Sequence, residues 1–250
     1  MMDYKLTANI LRNISYGLYS AEESNLKLNW YHIIQRFGKV MNAYPEIDWL
    51  NVLSRGQLDS KLWLISELEE LDVELGTVFL CGGWYASLAL MMFNSKLKIE
   101  KIRSFDIDDT CCKVADTMNK DFVKTWQFKA STVDIQNFEF TTHPAPDGTT
   151  GNFYYDTIQS VGATAQLRDR PDTLINTSCE HIKNFGVWYN KIPEGKLIIL
   201  QSNDYFELEE HINCVKNLND FRIQCPMNDL LYGGTIKLQK YNRFMLIGIK

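Results

Sequence analysis

Four short polar clusters, each placed directly after an apolar run, carry most of the chemistry this chain can offer. The first is Cys81-Gly82-Gly83-Trp84-Tyr85. Glycines there let the backbone turn sharply and let a ligand approach the main chain closely. A helix opening after such a turn would aim its free amides at a carboxylate or phosphate. A plain strand-to-helix turn explains the same residues equally well. The second cluster is Phe105-Asp106-Ile107-Asp108-Asp109. Asp106 lies roughly 20–25 residues beyond the glycines, where an acid can accept both hydroxyl protons of a ribose. We assign Asp106 and the adjoining Ile107 to a nucleoside-containing ligand, and Asp108 or Asp109 to helix capping. Asp134 closes a third apolar run. It can meet the exocyclic amine of a base or serve as an ordinary turn residue.

The most polar cluster is Asn176-Thr177-Ser178-Cys179-Glu180-His181. Polar groups that follow a buried strand need a partner or a ligand. Asn176 is assigned to the cofactor, Ser178 to the substrate, and Glu180 and His181 to general acid/base chemistry. The alternative is local: Asn176 and Ser178 would brace the loop by backbone hydrogen bonds, and Glu180 and His181 would cap the next turn. Cys179 reads as a small packed residue rather than a nucleophile. After a fifth run come Gln201-Ser202-Asn203-Asp204-Tyr205, of which Asn203, Asp204 and Tyr205 can line an acceptor pocket.

These residues matter only if strands carry them to one edge. Thr77–Cys81, Ile99–Phe105, Trp126–Val133, Asp172–Asn176 and Lys196–Gln201 read as strands, the first wholly apolar as in a strand buried on both faces. Trp84–Phe93, Thr110–Lys124 and Phe206–Leu218 read as helices, with His211 about two turns into the last. Gly234–Lys250 reads as two strands joined at Lys240–Asn242. Thr141–Gly151 reads as a loop and Tyr154–Ser160 as a short strand or helix. Alternation of strand and helix predicts a mostly parallel Rossmann-like sheet with helices on both faces and a carboxy-terminal antiparallel hairpin. Its ligand would bind beyond the carboxyl ends of the strands. Residues 1–74 form a separate helical segment. In it Leu62, Ile65, Leu68 and Leu71 share a face, Asp59 or Ser60 serves as N-cap, and Tyr44-Pro45 and Arg55-Gly56 are breaks.

Composition narrows the partners. The 250 residues carry a net charge of −5 and show no run of Lys and Arg. A nucleic-acid substrate is therefore less favoured than a small molecule or protein, with modified tRNA still open. The six cysteines form no CxxC pair and no Cys/His cluster of zinc spacing, so no metal is assigned. With no apolar span of membrane length and no secretory signal, the expectation is a soluble cytoplasmic protein with reduced thiols.

From Leu75 to Lys250 the chain resembles the class I S-adenosylmethionine-dependent methyltransferases. The resemblance rests on five alternating strands, a glycine turn after the first, acids after the second and third, and a final hairpin. Nicotinamide dehydrogenases normally continue with parallel strands instead. The chain is also similar to methyltransferase-like proteins of tailed phages through Cys81-Gly-Gly-Trp-Tyr, Phe105-Asp-Ile-Asp and Asn176-Thr-Ser-Cys-Glu-His. The resemblance implies that S-adenosylmethionine is the cofactor. Its methionine part would lie beside Gly82, Gly83 and Trp84, its ribose on Asp106 and its adenine near Asp134. Asn176 and the residues after it would face the acceptor, and residues 1–74 would act as a lid. The sequence departs from the family where Leu80 stands in place of an acid and where Trp84 and Ala86 replace the second and third glycines. No Asn/Asp-Pro-Pro-Tyr/Phe tetrad and no Pro-Cys nucleophile is present. The implied activity is methyl transfer to a small-molecule or protein acceptor. The alternatives are another transferase or lyase using the same cofactor, such as one moving its aminocarboxypropyl arm, or a non-catalytic binding protein on the same scaffold.

Overall fold

Ser54, Asn29 and Asp48 set where the amino-terminal helices begin. In the computed structural model, which describes residues 4–144, 150–160 and 163–250 (without the side chains of 4, 139 and 141–168), α1 spans Tyr4–Glu23, α2 Trp30–Ala43, α3 Trp49–Val52 and α4 Arg55–Leu71. Asn29, Asp48 and Ser54 each accept a first-turn amide of the helix that follows, which satisfies a donor the helix itself cannot. The break at Tyr44 is present, since Tyr44 ends α2. Arg55-Gly56, expected as a break, instead opens α4, and Ser54 rather than Asp59 or Ser60 is its cap. The hydroxyl of Ser54 is the nearest one outside the helical backbone, so it reaches the Gln57 amide while Ser60 turns back to the Gly56 carbonyl. Buried residues circle much of α4 (Leu58, Lys61, Leu62, Leu64, Ile65, Leu68). The helix is wedged between α1 and the sheet, and its leucines share one core with Val78, Ile199 and Met245.

The strands follow as β1 Glu74–Cys81, β2 Lys98–Asp106, β3 Phe128–Thr132, β4 Glu139–Pro144, β5 Thr150–Ser160, β6 Ala163–Asp169, β7 Thr173–Asn176, β8 Leu197–Asn203, β9 Asp229–Lys237 and β10 Asn242–Ile249. Seven form one sheet in the order β3-β2-β1-β7-β8-β10-β9. β3, β2, β1, β7 and β8 are parallel, and β10 runs antiparallel to both β8 and β9. Side chains alternate across it, as the two-residue period of a strand requires. Val78, Leu80, Ile199, Met245 and Ile247 enter the core shared with the amino-terminal helices. Phe79, Cys81, Ile198, Leu200 and Leu246 enter the opposite core with Phe105, Trp188 and Phe221. The chain winds one way from β1 to β3 and the other way through β7 and β8. The switch in strand order thus falls between β1 and β7, where a crevice opens.

Four expected elements differ. The helix expected from Trp84 begins only at Ser87 (α5, Ser87–Phe93), because Trp84 and Ala86 hold left-handed φ values of +49° and +53°. The helix expected over Thr110–Lys124 is two, α6 Asp109–Met118 and α7 Lys120–Val123. They are divided at Asn119, which is turned inward with its amide donating to the carbonyls of Ala86 and Ala115. Asp108 caps α6 through the Thr110 amide. Among the described residues between β3 and β7 no crossover helix intervenes. The chain makes a 3₁₀ turn at Ile135–Asn137 and then the antiparallel sheet β4-β5-β6. Tyr154–Ser160 is therefore strand, and the expected Thr141–Gly151 loop is partly strand, with residues 145–149 outside the described part. Asp169 at the end of β6 pins this excursion to β2 through Arg103 (2.9 Å) and Lys101 (3.1 Å). After α8 (Phe185–Lys191) and β8, the helix expected over Phe206–Leu218 is absent. The segment is a run of turns, and α9 spans Leu218–Gln224.

Candidate functional site

The glycine turn after β1 is built by its contacts with β2. The Gly83 amide donates to the Phe105 carbonyl at 2.9 Å and the Trp84 amide to Asp106 Oδ2 at 2.7 Å. A Cβ on Gly83 would stand 2.1 Å from Ser104 Oγ, so a larger residue fits only if the Ser104 side chain turns aside. Gly82 is left-handed (φ +69°), and so are Trp84 and Ala86. The backbone keeps a glycine-like path at positions where the sequence carries side chains, at a strain of about 1–2 kcal/mol for each non-glycine residue. Trp84 stacks on Tyr85 at 4.8 Å, which holds the indole in place.

Asp106 ends β2, and both of its oxygens are engaged: Oδ2 by Trp84 N–H and Oδ1 by Asp108 N–H at 3.1 Å. Burial raises its pKa despite these donors. Each carboxylate oxygen has a second lone pair, so ribose hydroxyls can still be accepted. Ile107 is 71% exposed beside it, an apolar surface at the cavity edge. Asp134 accepts the Gln136 amide at 2.9 Å and caps the 3₁₀ turn.

On the far side of the switch point the polar groups are densely paired. Asn176 is fully buried; its Oδ1 accepts the Ser178 amide at 2.8 Å, and its side-chain nitrogen has no partner among the described residues. It braces the loop from beneath. Glu180 is also buried, and its Oε1 takes Asn203 Nδ2 (2.7 Å) and an Arg243 guanidinium N–H (3.1 Å). Asn203 is spent in the same network, its other polar atom accepting the Tyr205 amide. Cys179 is buried and its thiol pKa is pushed up by that burial, so it is not a poised nucleophile. His181 is exposed, with Nδ1 at 3.2 Å from the Glu210 carbonyl.

The turns at 206–217 bring His211 to this spot. Asn213 donates through its main chain to the Glu180 carbonyl and through its side chain to the Cys179 carbonyl, both at 2.9 Å. The Val215 amide donates to the Asn203 carbonyl. These bonds satisfy main-chain groups left over by the 3₁₀ turn Cys179–His181, and a regular helix over the same residues would forgo them. The result is a His181–His211 edge-to-face contact at 4.6 Å. Potential metal-binding atoms of Glu180, His181 and His211 lie within 4.8 Å of one another.

A cavity of about 1770 Å³ joins the two halves. Pockets for one drug-sized ligand run to roughly 300–1,000 Å³, so this one has room for a cofactor and an acceptor. Gly82, Gly83, Trp84, Asp106, Ile107 and Asp134 line one end; Ser178, Glu180, His181, Asn203 and Tyr205 line the other. Asn176 and Asp204 of the sequence-derived residues do not reach it, and both Asp204 oxygens instead accept from Asn242.

Sequence reasoning missed the wall opposite. α1 and α4 supply Tyr16, Asp59 and Lys61, and β10 supplies Arg243. Tyr16 hydroxyl donates to Asp59 at 3.4 Å, and Arg55 lies 4.4 Å over the Tyr16 ring. Lys61 is buried, and its pKa is lowered to about 7 by desolvation and, secondarily, by the charge of Arg243. An amine poised there can exchange a proton near neutrality. A signal was present: Lys61 lies three residues after Leu58 and four before Ile65, inside an apolar stripe.

No protein-family model matches this chain, and no curated protein matches its sequence. Solved structures match its fold. The N-methyltransferase NodS from Bradyrhizobium japonicum WM9 in complex with S-adenosyl-L-homocysteine is 8% identical, with 86% of this chain and 98% of that chain covered and a TM-score of 0.55. A candidate sarcosine dimethylglycine methyltransferase from Galdieria sulphuraria is 9% identical over 79% of this chain and 88% of that one, with a TM-score of 0.52. The MccD protein is 8% identical over 75% and 96%, with a TM-score of 0.51. At such identities the likeness is one of fold. That fold is the Rossmann-like, mostly parallel seven-stranded sheet with a terminal antiparallel hairpin found in S-adenosylmethionine-dependent methyltransferases.

Proposed function

We propose that this chain is an S-adenosylmethionine-dependent methyltransferase acting on a small-molecule or protein acceptor. The observation that carries the reading is the continuous cavity at the strand-order switch, with a nucleoside-compatible end and a histidine-bearing end. The Gly82–Trp84 main chain would cradle the methionine part, Asp106 the ribose, and Ile107 and Asp134 the adenine. The close approach of Gly83 to β2 supports the fit, since a side chain there would push the turn away from Ser104.

When bound, the sulfonium supplies an electrophilic methyl group. The chain's own task is then to align the acceptor and give its proton somewhere to go. Tyr205, stacked on Tyr241 at 5.3 Å, and Ser178 would orient the acceptor. Glu180, paired with Arg243, would fix the floor of the acceptor site. The carbonyl partner of His181 Nδ1 leaves Nε2 with a lone pair that can meet the acceptor. α1 and α4 would exclude water as a lid.

Calorimetric titration with S-adenosylmethionine and S-adenosylhomocysteine is the test. Binding of both is expected, and absence of heat at millimolar ligand would overturn the reading. Once an acceptor is found, product mass identifies the group moved. His181→Ala is expected to bind cofactor normally and lose turnover; full activity would remove His181 from the mechanism.

A further inference from the structure

We propose that Glu180, His181 and His211 form a binding site for a first-row divalent transition cation at the acceptor end of the cavity. Three observations converge on it. The donor atoms of the three residues lie within 4.8 Å of one another. Bonds of roughly 2.0–2.2 Å to nitrogen and oxygen place donors about 3–4 Å apart, so small side-chain rotations close the set.

The second observation is the tautomer of both rings. His181 Nδ1 faces the Glu210 carbonyl at 3.2 Å, and His211 Nδ1 faces the Tyr205 carbonyl at 2.9 Å. A carbonyl can only accept, so each Nδ1 carries a proton, and in the neutral ring Nε2 is then the nitrogen with the lone pair. A backbone carbonyl behind the ring is the usual support of a metal-ligating histidine. Two independent histidines, from segments 30 residues apart, are oriented the same way.

The third is an unsatisfied charge. Glu180 is 3% exposed, and its Oε2 has no hydrogen-bond partner among the described residues. A buried carboxylate oxygen without a donor is costly. Arg243 and Asn203 occupy only Oε1, so they fix the carboxylate plane and leave Oε2 for a cation.

Two imidazoles and one carboxylate suit iron, cobalt, nickel, zinc or manganese rather than calcium or magnesium, which take oxygen ligands. Three protein ligands also leave coordination positions open. All three residues line the cavity, so these positions are accessible to the acceptor. Resting on the methyltransferase reading, with the cation bound His181 Nε2 would be a ligand in place of a base, and the cation would bind an acceptor hydroxyl and lower its pKa so that the proton passes to solvent water.

Co²⁺ added to the full chain without cofactor tests the site, read by its visible d–d absorption and by calorimetry. One equivalent is expected to bind. His181→Ala and His211→Ala should each weaken Co²⁺ binding by about tenfold or more while leaving S-adenosylhomocysteine affinity and the circular dichroism spectrum unchanged. Both side chains are at least partly exposed, so neither substitution threatens the fold. Absence of a Co²⁺ band in the parent protein, or parent-like Co²⁺ affinity in either variant, overturns the site while leaving cofactor binding to be judged by its own titration. Co²⁺ binding that depends on both histidines, in a protein that ignores S-adenosylhomocysteine, would uphold the metal site and remove the methyltransferase reading.

Discussion

Replacing Lys61 by methionine should stabilise the protein, and the gain should depend on pH. The Lys61 ammonium is buried at the cavity wall, with Gln57 as its hydrogen-bond partner and no carboxylate paired to it among the described residues. Desolvation, helped by Arg243, lowers its pKa from 10.5 to about 7. The folded chain therefore binds this proton less tightly than the unfolded chain. Stability from this group is complete only above the unfolded value, falls as pH drops from 10.5 toward 7, and stays low below that. At 1.36 kcal/mol per pH unit, the fall from 10.5 to about 7 amounts to roughly 4–5 kcal/mol at pH 6 and about 2 kcal/mol at pH 9. Methionine has nearly the same length and volume, and it loses about 1 kcal/mol for each hydrogen bond to Gln57. Urea denaturation of parent and Lys61→Met at the two pH values measures the difference. The variant should be the more stable at pH 6, and its advantage should shrink by roughly 2–3 kcal/mol at pH 9. A difference that does not change with pH, or a variant less stable at pH 6, would refute the argument that burial holds this amine against its charge.

The other predictions concern the strand ends. Gly83→Ala puts a Cβ 2.1 Å from Ser104 Oγ; an overpacking loss of about 1–3 kcal/mol is expected, with weaker S-adenosylhomocysteine binding in the same titration, and Ser104→Ala should partly rescue both. Arg243→Met leaves the buried Glu180 charge unpaired, so denaturation should show a loss of about 3–5 kcal/mol, while Glu180→Gln with Arg243→Met should recover much of it. Burial raises the pKa of Asp106 above its usual 3.8. Its ionised form is the one that accepts ribose hydroxyls, so cofactor affinity should fall with decreasing pH at values above the normal carboxylate range. The sign for stability is opposite: a raised folded pKa favours the protonated form, so this group's contribution is greatest at low pH and is lost as pH rises through the folded value. Calorimetry across mildly acidic pH should show the affinity loss in the parent and a flat profile in Asp106→Asn.

The sequence by itself determined the elements that are buried on both faces. β1, β7 and β8 were legible because a strand covered on two sides can carry only apolar residues, and the polar residue ending each run marks where the sheet meets the crevice. The same logic located Gly82, Gly83, Asp106, Glu180 and His181 at one edge. Elements whose partners are distant in sequence were not legible. Phe206–Leu218 has helix-compatible residues, but the main chain and side chain of Asn213 are used on the Glu180 and Cys179 carbonyls of the 3₁₀ turn, a demand no local pattern contains. Lys61 and Arg243 look like ordinary charged residues of a helix and a strand. Tertiary structure buries both, Lys61 beneath the amino-terminal helices and Arg243 against Glu180, 63 residues away in sequence. His211 acquires its place only when the turns fold back onto His181. Periodicity reports which side of an element is dry. Which charge lies against which, and which lone pair is left open, is decided by packing between segments far apart in the chain.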